Sequence, residues 1–224
     1  MIKKKLGSLK FSFERLFLSD VEKRHELVGP PKLWKMKQDF QINFLHNRDL
    51  KKTDTLLDIG CGTLRGGIPI IDFLDSGNYC GIEVRENVLA EGKKELKEHK
   101  LEHKNPILVS FNDFKDLDLE SKFDIAFAFS VLIHLEDHIT AGCLKFVSKH
   151  LSKDGIFYAN VNIGNQKDGN WQGFPVANRS LEFYKDLCES NGLSLKVIGT
   201  IGEFGHNSGI KAQDDQPMLE IKLA

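Results

Sequence analysis

Two carboxylates and the glycines between them have the clearest chemical potential in this chain. Asp58 lies within Leu56-Leu57-Asp58-Ile59-Gly60-Cys61-Gly62-Thr63, and Glu83 ends the next apolar run, Tyr79-Cys80-Gly81-Ile82-Glu83-Val84. Glycines directly after a buried strand let the backbone turn sharply and let a ligand approach where a side chain would clash. Such turns serve dinucleotides, S-adenosylmethionine (SAM) and plain tight packing alike. Asp58 narrows the choice, because a carboxylate pointing into the turn repels a pyrophosphate and complements a ligand with a positive group, as the ammonium and sulfonium of SAM provide. Glu83 stands roughly 20 residues beyond the turn, where an acid can accept two hydrogen bonds from a ribose diol.

Proton transfer would fall to histidine, whose ordinary pKa is near neutrality and which suits removing a proton from a hydroxyl nucleophile. His134, in Ser130-Val131-Leu132-Ile133-His134-Leu135, is the first candidate base, with packing or helix capping as the alternative role of its ring. His206, in Gly205-His206-Asn207-Ser208-Gly209, is the second; His138 falls inside the helix that follows His134. The segment 164–175 is too long for a simple connector, and its Trp171 and Phe174 either stack on a sugar-like ring of the acceptor or anchor the loop to the core. Cys61, Cys80, Cys143 and Cys188 stand far apart with no histidine at metal-ligand spacing, so no metal is expected and the thiols fit a reducing, cytoplasmic setting.

These residues need a scaffold. Short apolar runs alternate with longer amphipathic ones, the pattern of a parallel sheet covered by helices. Strands are expected at 55–60, 78–84, 107–112, 123–130, 155–163, 193–202 and 217–223, and helices at 32–46, 65–75, 86–99, 137–150 and 179–190. No helix separates the last two strands, so they should pair antiparallel. Ligands on such sheets sit at the carboxyl ends of the strands, which gathers the glycine turn, Glu83, His134 and His206 at one edge.

The 224 residues suit one αβ domain with a terminal extension, divided as 1–50 for an arm and cap helix and 51–224 for the catalytic domain. Within the first part, Trp34 to Phe44 supply the apolar face of the helix expected to cover the cofactor. Lys and Arg number 31 against 32 Asp and Glu, so there is no global field to concentrate the protein on nucleic acid. No apolar stretch approaches the roughly 20 residues that span a bilayer, and the start lacks a secretory apolar run. The basic, aromatic arm from Ile2 to Phe17 has a composition suited to an anionic membrane surface, but folding back over its own domain or onto a second subunit, as a homodimer, is preferred.

With DIGCGT followed by GIEV, the sequence resembles the class I SAM-dependent methyltransferases over about residues 30–224. That resemblance implies a Rossmann-like three-layer αβα sandwich whose mostly parallel seven-stranded sheet carries an antiparallel strand near one edge. It implies that Asp58, Gly60, Cys61 and Gly62 hold the methionine portion of SAM, Glu83 and Val84 the ribose side, and Asn112, Asp113 and Phe114 the adenine, with Ser130 closing the cofactor site. One departure stands out: Leu64 occupies the position of the family's frequent third glycine, which leaves the placement of Arg65 open. Absent Asn-Pro-Pro, Asp-Pro-Pro and Pro-Cys turns, and an absent Asp-Asp-Asn set, point to metal-free O-methylation of a small hydroxylated metabolite or glycan precursor, releasing S-adenosylhomocysteine. The rivals are an NAD(P)-dependent oxidoreductase, opposed by Asp58 and the lack of GxGxxG and Tyr-x-x-x-Lys, and a non-catalytic SAM-binding regulatory or scaffold protein.

Overall fold

The structure, a computed structural model, describes residues 18–171 and 173–224. The arm from Ile2 to Phe17, with the membrane, folding-back and dimer roles expected of it, lies outside the described residues.

Seven strands form the central sheet: β1 Leu56–Ile59, β2 Tyr79–Glu83, β3 Ile107–Ser110, β4 Phe123–Ala128, β5 Leu151–Asn160, β8 Leu193–Thr200 and β9 Pro217–Leu223. Their order is β3-β2-β1-β4-β5-β9-β8. The pairs from β3 through to β5 are parallel; β9 lies one strand in from the edge and runs antiparallel to both β5 and β8. The antiparallel pairing of the last two strands is as expected, but the connection between them, 201–216, is not free of helix: it carries a single helical turn at Lys211–Asp214, too short to cross the sheet.

The two-residue period of the strands sorts side chains to the two faces. Leu57, Ile59, Cys80 and Ile82 join one apolar cluster, while Leu56, Tyr79, Ile125 and Phe127 join the other. Asp58 therefore faces the same side as Leu56. Because β1 and β2 pair in parallel with Leu56 opposite Tyr79 and Asp58 opposite Gly81, Tyr79 and Glu83 share that face too. Phe40, Phe44 and Leu45 cover it from the helix α2, so the expected cap helix packs over the face that bears both acids.

The helices are α1 Asp20–Glu26, α2 Trp34–His46, α3 Gly67–Phe73, α4 Glu86–Glu98, α5 Asp137–His150, α6 Leu181–Glu189 and the short α7 Lys211–Asp214. Ser19 and Glu22 close a reciprocal capping box at the start of α1, which satisfies two otherwise orphaned amide donors. Two differences from the sequence expectation matter. Strand β5 begins directly after α5, at Leu151, and ends at Asn160 rather than 163. The supposed loop 164–175 holds a hairpin, β6 Gly169–Trp171 and β7 Phe174–Val176, paired with each other and separate from the main sheet. Strands this short show no alternation to read, and Pro175 argues locally against a strand, yet a two-stranded edge accommodates it. No helix among the described residues is long and apolar enough to cross a membrane.

Candidate functional site

Asp58 is 4% exposed and accepts a hydrogen bond on Oδ2 from the Tyr79 hydroxyl at 2.6 Å. Burial pushes its carboxyl up to about 7, opposed by that bond and by the charge of Arg65. Glu83, 3% exposed, is fully engaged: Oε2 accepts from the Gly62 amide at 3.1 Å, and Oε1 accepts from the backbone N–H and Nε of Arg85 at 2.9 and 3.2 Å. The second acid thus reaches back to the glycine turn that follows the first.

Gly60 and Gly62 both take positive φ, 69° and 59°. A β-carbon at Gly60 would stand 2.6 Å from Val131, and one at Gly62 2.8 Å from Val28, so the turn is also a packing surface for the elements above it. Cys61 between them is buried with its sulfur against Gly81. Leu64 adopts φ 61° as well. The leucine therefore takes the backbone conformation that a third glycine would supply, and its side chain is completely buried.

Sequence reasoning left Arg65 unplaced; the structure puts it in a cleft lined by Asp58, Gly60, Gly62 and Phe129. Its Nη1 donates to the Val28 carbonyl at 3.0 Å, while Nε is buried with no partner among the described residues. Burial draws its pKa down to about 10, with Asp58 opposing. Arg85 donates likewise to the Leu27 carbonyl at 3.0 Å. Arg24 of α1 binds Glu98 at 2.7 Å, Glu95 at 3.0 Å and Glu91 at 3.2 Å, all on α4. The chain from α1 to Val28 is therefore strapped across the turn by three arginines, two of which belong to the site itself.

Next to Glu83 in the chain, Val84 is 48% exposed. Asn112 and Asp113 are exposed, and Asp113 caps the short turn Phe114–Asp116 through the Lys115 amide at 3.0 Å. Phe114 departs from the expected placement: its ring is buried between Phe111 and Phe146, at 4.8 and 5.5 Å, as part of the core. Ser130 has φ 59° after β4, and its amide donates to Asn160 Oδ1 at 2.7 Å. A chain of amides continues from Asn160 to Gln216, from Gln216 to Asn162, and from Asn162 to the Ala177 carbonyl, at 2.6, 2.8 and 3.1 Å. Buried amides satisfied in series hold the ends of β4, β5 and β9 in register with the hairpin.

The two histidine candidates occupy different surroundings. His134 ends the turn Leu132–His134, its Nδ1 2.8 Å from the Pro175 carbonyl and its ring stacked 5.4 Å from Trp171, with Phe174 at 6.3 Å. His206, 3% exposed, lies between β8 and β9; its Nδ1 is 2.7 Å from Asp214 Oδ1, and its Nε2 is buried with no partner among the described residues. Phe40 and Phe129 flank the ring at 5.2 and 5.7 Å. Burial lowers the pKa of both histidines, opposed by Pro175 in one and by Asp214 in the other. Phe129 links His206 to the Asp58 cleft, whereas His134 belongs to the hairpin side. His138 is exposed on α5 beside Glu136. No group of His, Cys, Asp and Glu among the described residues is arranged to hold a metal.

A seven-stranded sheet with one antiparallel strand inside its edge, and acids closing β1 and β2 around a glycine turn, define a Rossmann-like fold of the methyltransferase type. Residues 57–157 match the family described as a methyltransferase domain. The chain is 28% identical over 174 residues to sphingolipid C9-methyltransferase 1 of Gibberella zeae, covering 71% of this chain and 33% of that one. It is 33% identical over 98 residues to an uncharacterized methyltransferase of Schizosaccharomyces pombe, covering 41% and 34%. The chain spans about one third of the length of these curated relatives. Among solved structures, magnesium protoporphyrin IX methyltransferase of Synechocystis with bound S-adenosylhomocysteine shares the fold at a TM-score of 0.64 and 14% identity, over 100% of this chain and 98% of that one.

Proposed function

We propose that this chain is a SAM-dependent methyltransferase that methylates a hydroxyl of a small metabolite or glycan precursor, with residues 51–224 as its catalytic domain and the preceding residues as arm and cap. The observation that carries the reading is the placement of Asp58 and Glu83 on one sheet face, at the ends of adjacent strands, on either side of the glycine turn. The cleft suits the amino acid end of SAM because it pairs a buried acid with an arginine whose Nε lacks a partner. When bound, SAM supplies a methyl carbon made electrophilic by the adjoining sulfonium, which departs with the bonding pair as S-adenosylhomocysteine.

Asp58 would hold the ammonium and Arg65 the carboxylate, while Gly60, Cys61 and Gly62 let the ligand lie against the backbone. Glu83 would exchange its bonds to Arg85 for the ribose diol, and Val84, Asn112 and Asp113 would border the adenine, with Phe114 supporting that edge from the core. Ser130 would close the site from β4. For the acceptor, the His206–Asp214 pair is the better-equipped base: Asp214 fixes the Nδ1 proton, leaving Nε2 to take the hydroxyl proton as the acceptor oxygen bonds to carbon. His134 is the second candidate, with Trp171 and Phe174 beside it as the wall for the acceptor's ring.

The name of the Gibberella relative marks carbon as the accepting atom in that protein. Oxygen is favoured here because a hydroxyl must lose a proton, and a histidine backed by a carboxylate meets that need. The balanced charge supports a small acceptor over nucleic acid, and four free, buried cysteines suit the cytoplasm.

Calorimetric titration tests the cofactor: S-adenosylhomocysteine should bind and NADH should not, and the reverse result would replace the reading with the oxidoreductase. Labelled SAM offered with a panel of hydroxylated sugars should give labelled ether. Binding without turnover across that panel would favour the scaffold role.

A further inference from the structure

Phe129 directly follows β4 at the carboxyl edge of the sheet, and its ring gathers three nitrogen-bearing side chains from separate parts of the chain. Lys37 of α2 places Nζ 5.9 Å from the ring centroid, Arg65 of the glycine turn places Cζ at 5.8 Å, and the ring of His206 lies at 5.7 Å. Nε of Arg65 and Nε2 of His206 are both buried without a hydrogen-bond partner among the described residues. Arg65 is 8% exposed and His206 3%. The ammonium of half-buried Lys37 makes neither an ion pair nor a hydrogen bond among the described residues.

The neighbouring acids are already engaged. Asp58 accepts from Tyr79 and faces Arg65. Oδ1 of Asp214 accepts from the Ser208 amide and hydroxyl at 2.9 and 2.8 Å, as well as meeting His206. Burial, with Arg65 adding repulsion, draws Lys37 down to about 8 against the pull of Asp214. A half-buried cation in an aromatic-lined place, whose nearby acid Asp214 is bonded to His206 and Ser208 and makes no ion pair with it, favours an anionic ligand, since charge pairs there are weakly screened. The donor does not provide that anion: its single carboxylate is assigned to Arg65, and its other charges are positive.

We infer that the acceptor is itself acidic, with a carboxylate or phosphate group seated against Lys37 so that a neighbouring hydroxyl meets Nε2 of His206. The inference rests on the methyltransferase reading above and adds the substrate class, a hydroxylated acid or phosphate ester in preference to a neutral sugar. Lys37 is then a specificity-determining residue. Its position on the cap helix lets the same element that covers the cofactor face also select the acceptor's charge.

The test uses the full chain saturated with S-adenosylhomocysteine and the histidine side-chain NMR signals, with His206 assigned by its absence in His206→Gln. Acetate, inorganic phosphate and neutral glycerol are titrated as probes. One or both anions should shift the His206 signals at concentrations at which glycerol leaves them unchanged, and the one that does so more tightly distinguishes carboxylate from phosphate. Lys37→Met should weaken that binding about ten-fold, as expected for loss of a charge-assisted contact, and Lys37→Arg should retain most of it. If S-adenosylhomocysteine binds but neither anion shifts His206, or Lys37→Met responds as the wild type does, the acidic-acceptor inference is wrong and the methyltransferase reading stands. Failure of S-adenosylhomocysteine to bind the wild type would overturn both.

Discussion

The Tyr79 hydroxyl donates to Oδ2 of Asp58 across 2.6 Å, from a residue that the parallel register puts on the same face of the neighbouring strand. One bond does not offset full burial, and the carboxyl rises from 3.8 to about 7. Since the folded protein then holds a proton that the unfolded chain releases, the contribution of Asp58 to stability is fully present below about pH 4 and lost as pH rises through about 7. Asp58→Asn does not titrate, so in thermal unfolding the wild type should lose stability relative to this variant as pH rises through that window. An ammonium ligand needs the ionised carboxylate, so affinity for S-adenosylhomocysteine should climb over the same window in the wild type and stay flat and weak in Asp58→Asn. A pH-independent wild-type affinity would remove Asp58 from the ammonium site.

Glu83 is the proposed ribose contact, and its present bonds define the expected loss. Glu83→Gln replaces one acceptor oxygen with an NH2 group that must confront either the Gly62 amide or Arg85, both donors. Hydrogen bonds to a charged group are worth about 1.5–3 kcal/mol, so S-adenosylhomocysteine affinity should fall roughly 10- to 100-fold. Arg85→Ala, by contrast, removes a competitor for Oε1 and should bind the ligand at least as tightly as the wild type. Calorimetry on both variants separates a ribose acceptor from an acid that merely braces the turn.

The parts of this protein legible in its sequence are those set by local pattern. The antiparallel pairing of β8 and β9 follows from a connection without a crossover helix, α7 being a single turn, and the placement of Asp58 and Glu83 from acids set in apolar runs. What escaped depends on contacts distant in sequence or on backbone geometry. Phe114 reads as a loop aromatic, but α5 brings Phe146 over it and draws it into the core. His206 reads as a lone histidine because its partner, Asp214, stands eight residues further on, beyond Ser208-Gly209, with no motif to connect them. Lys37 and Arg65 look like a solvated helix position and an irregular loop residue, and only the fold of α2 over the sheet brings both to Phe129. The cap box of α1, Ser19 with Glu22, was in plain view but belongs to a helix too short to announce itself by periodicity.

Separating the two histidines requires turnover as well as binding. His206→Gln should lower kcat by about 10²- to 10⁴-fold, the usual range for a lost general base, with S-adenosylhomocysteine affinity nearly unchanged. His134→Gln should change kcat only a few-fold, because its Nδ1 is tied to Pro175 and its ring is stacked on the hairpin. Burial holds the His206 pKa below its ordinary 6.5, so the acid limb of the kcat profile should fall below that value. Asp214→Asn removes the carboxylate that opposes this shift and should move the limb further toward acid. The opposite ranking of the two histidine variants would transfer the base role to His134.

Leu64 tests whether the turn tolerates its departure from a third glycine by virtue of the side chain it buries. At φ 61° a leucine carries a conformational cost of about 1–2 kcal/mol that glycine avoids, yet its side chain is fully buried among core residues. Leu64→Ala keeps the strain and loses the packing, which should cost about 2–5 kcal/mol. Leu64→Gly loses the same packing but relaxes the backbone, so it should be the more stable of the two by about 1 kcal/mol, reversing the usual order of alanine over glycine. Denaturant unfolding of the pair measures this difference directly. Alanine proving the more stable would mean that the left-handed conformation at residue 64 carries no strain.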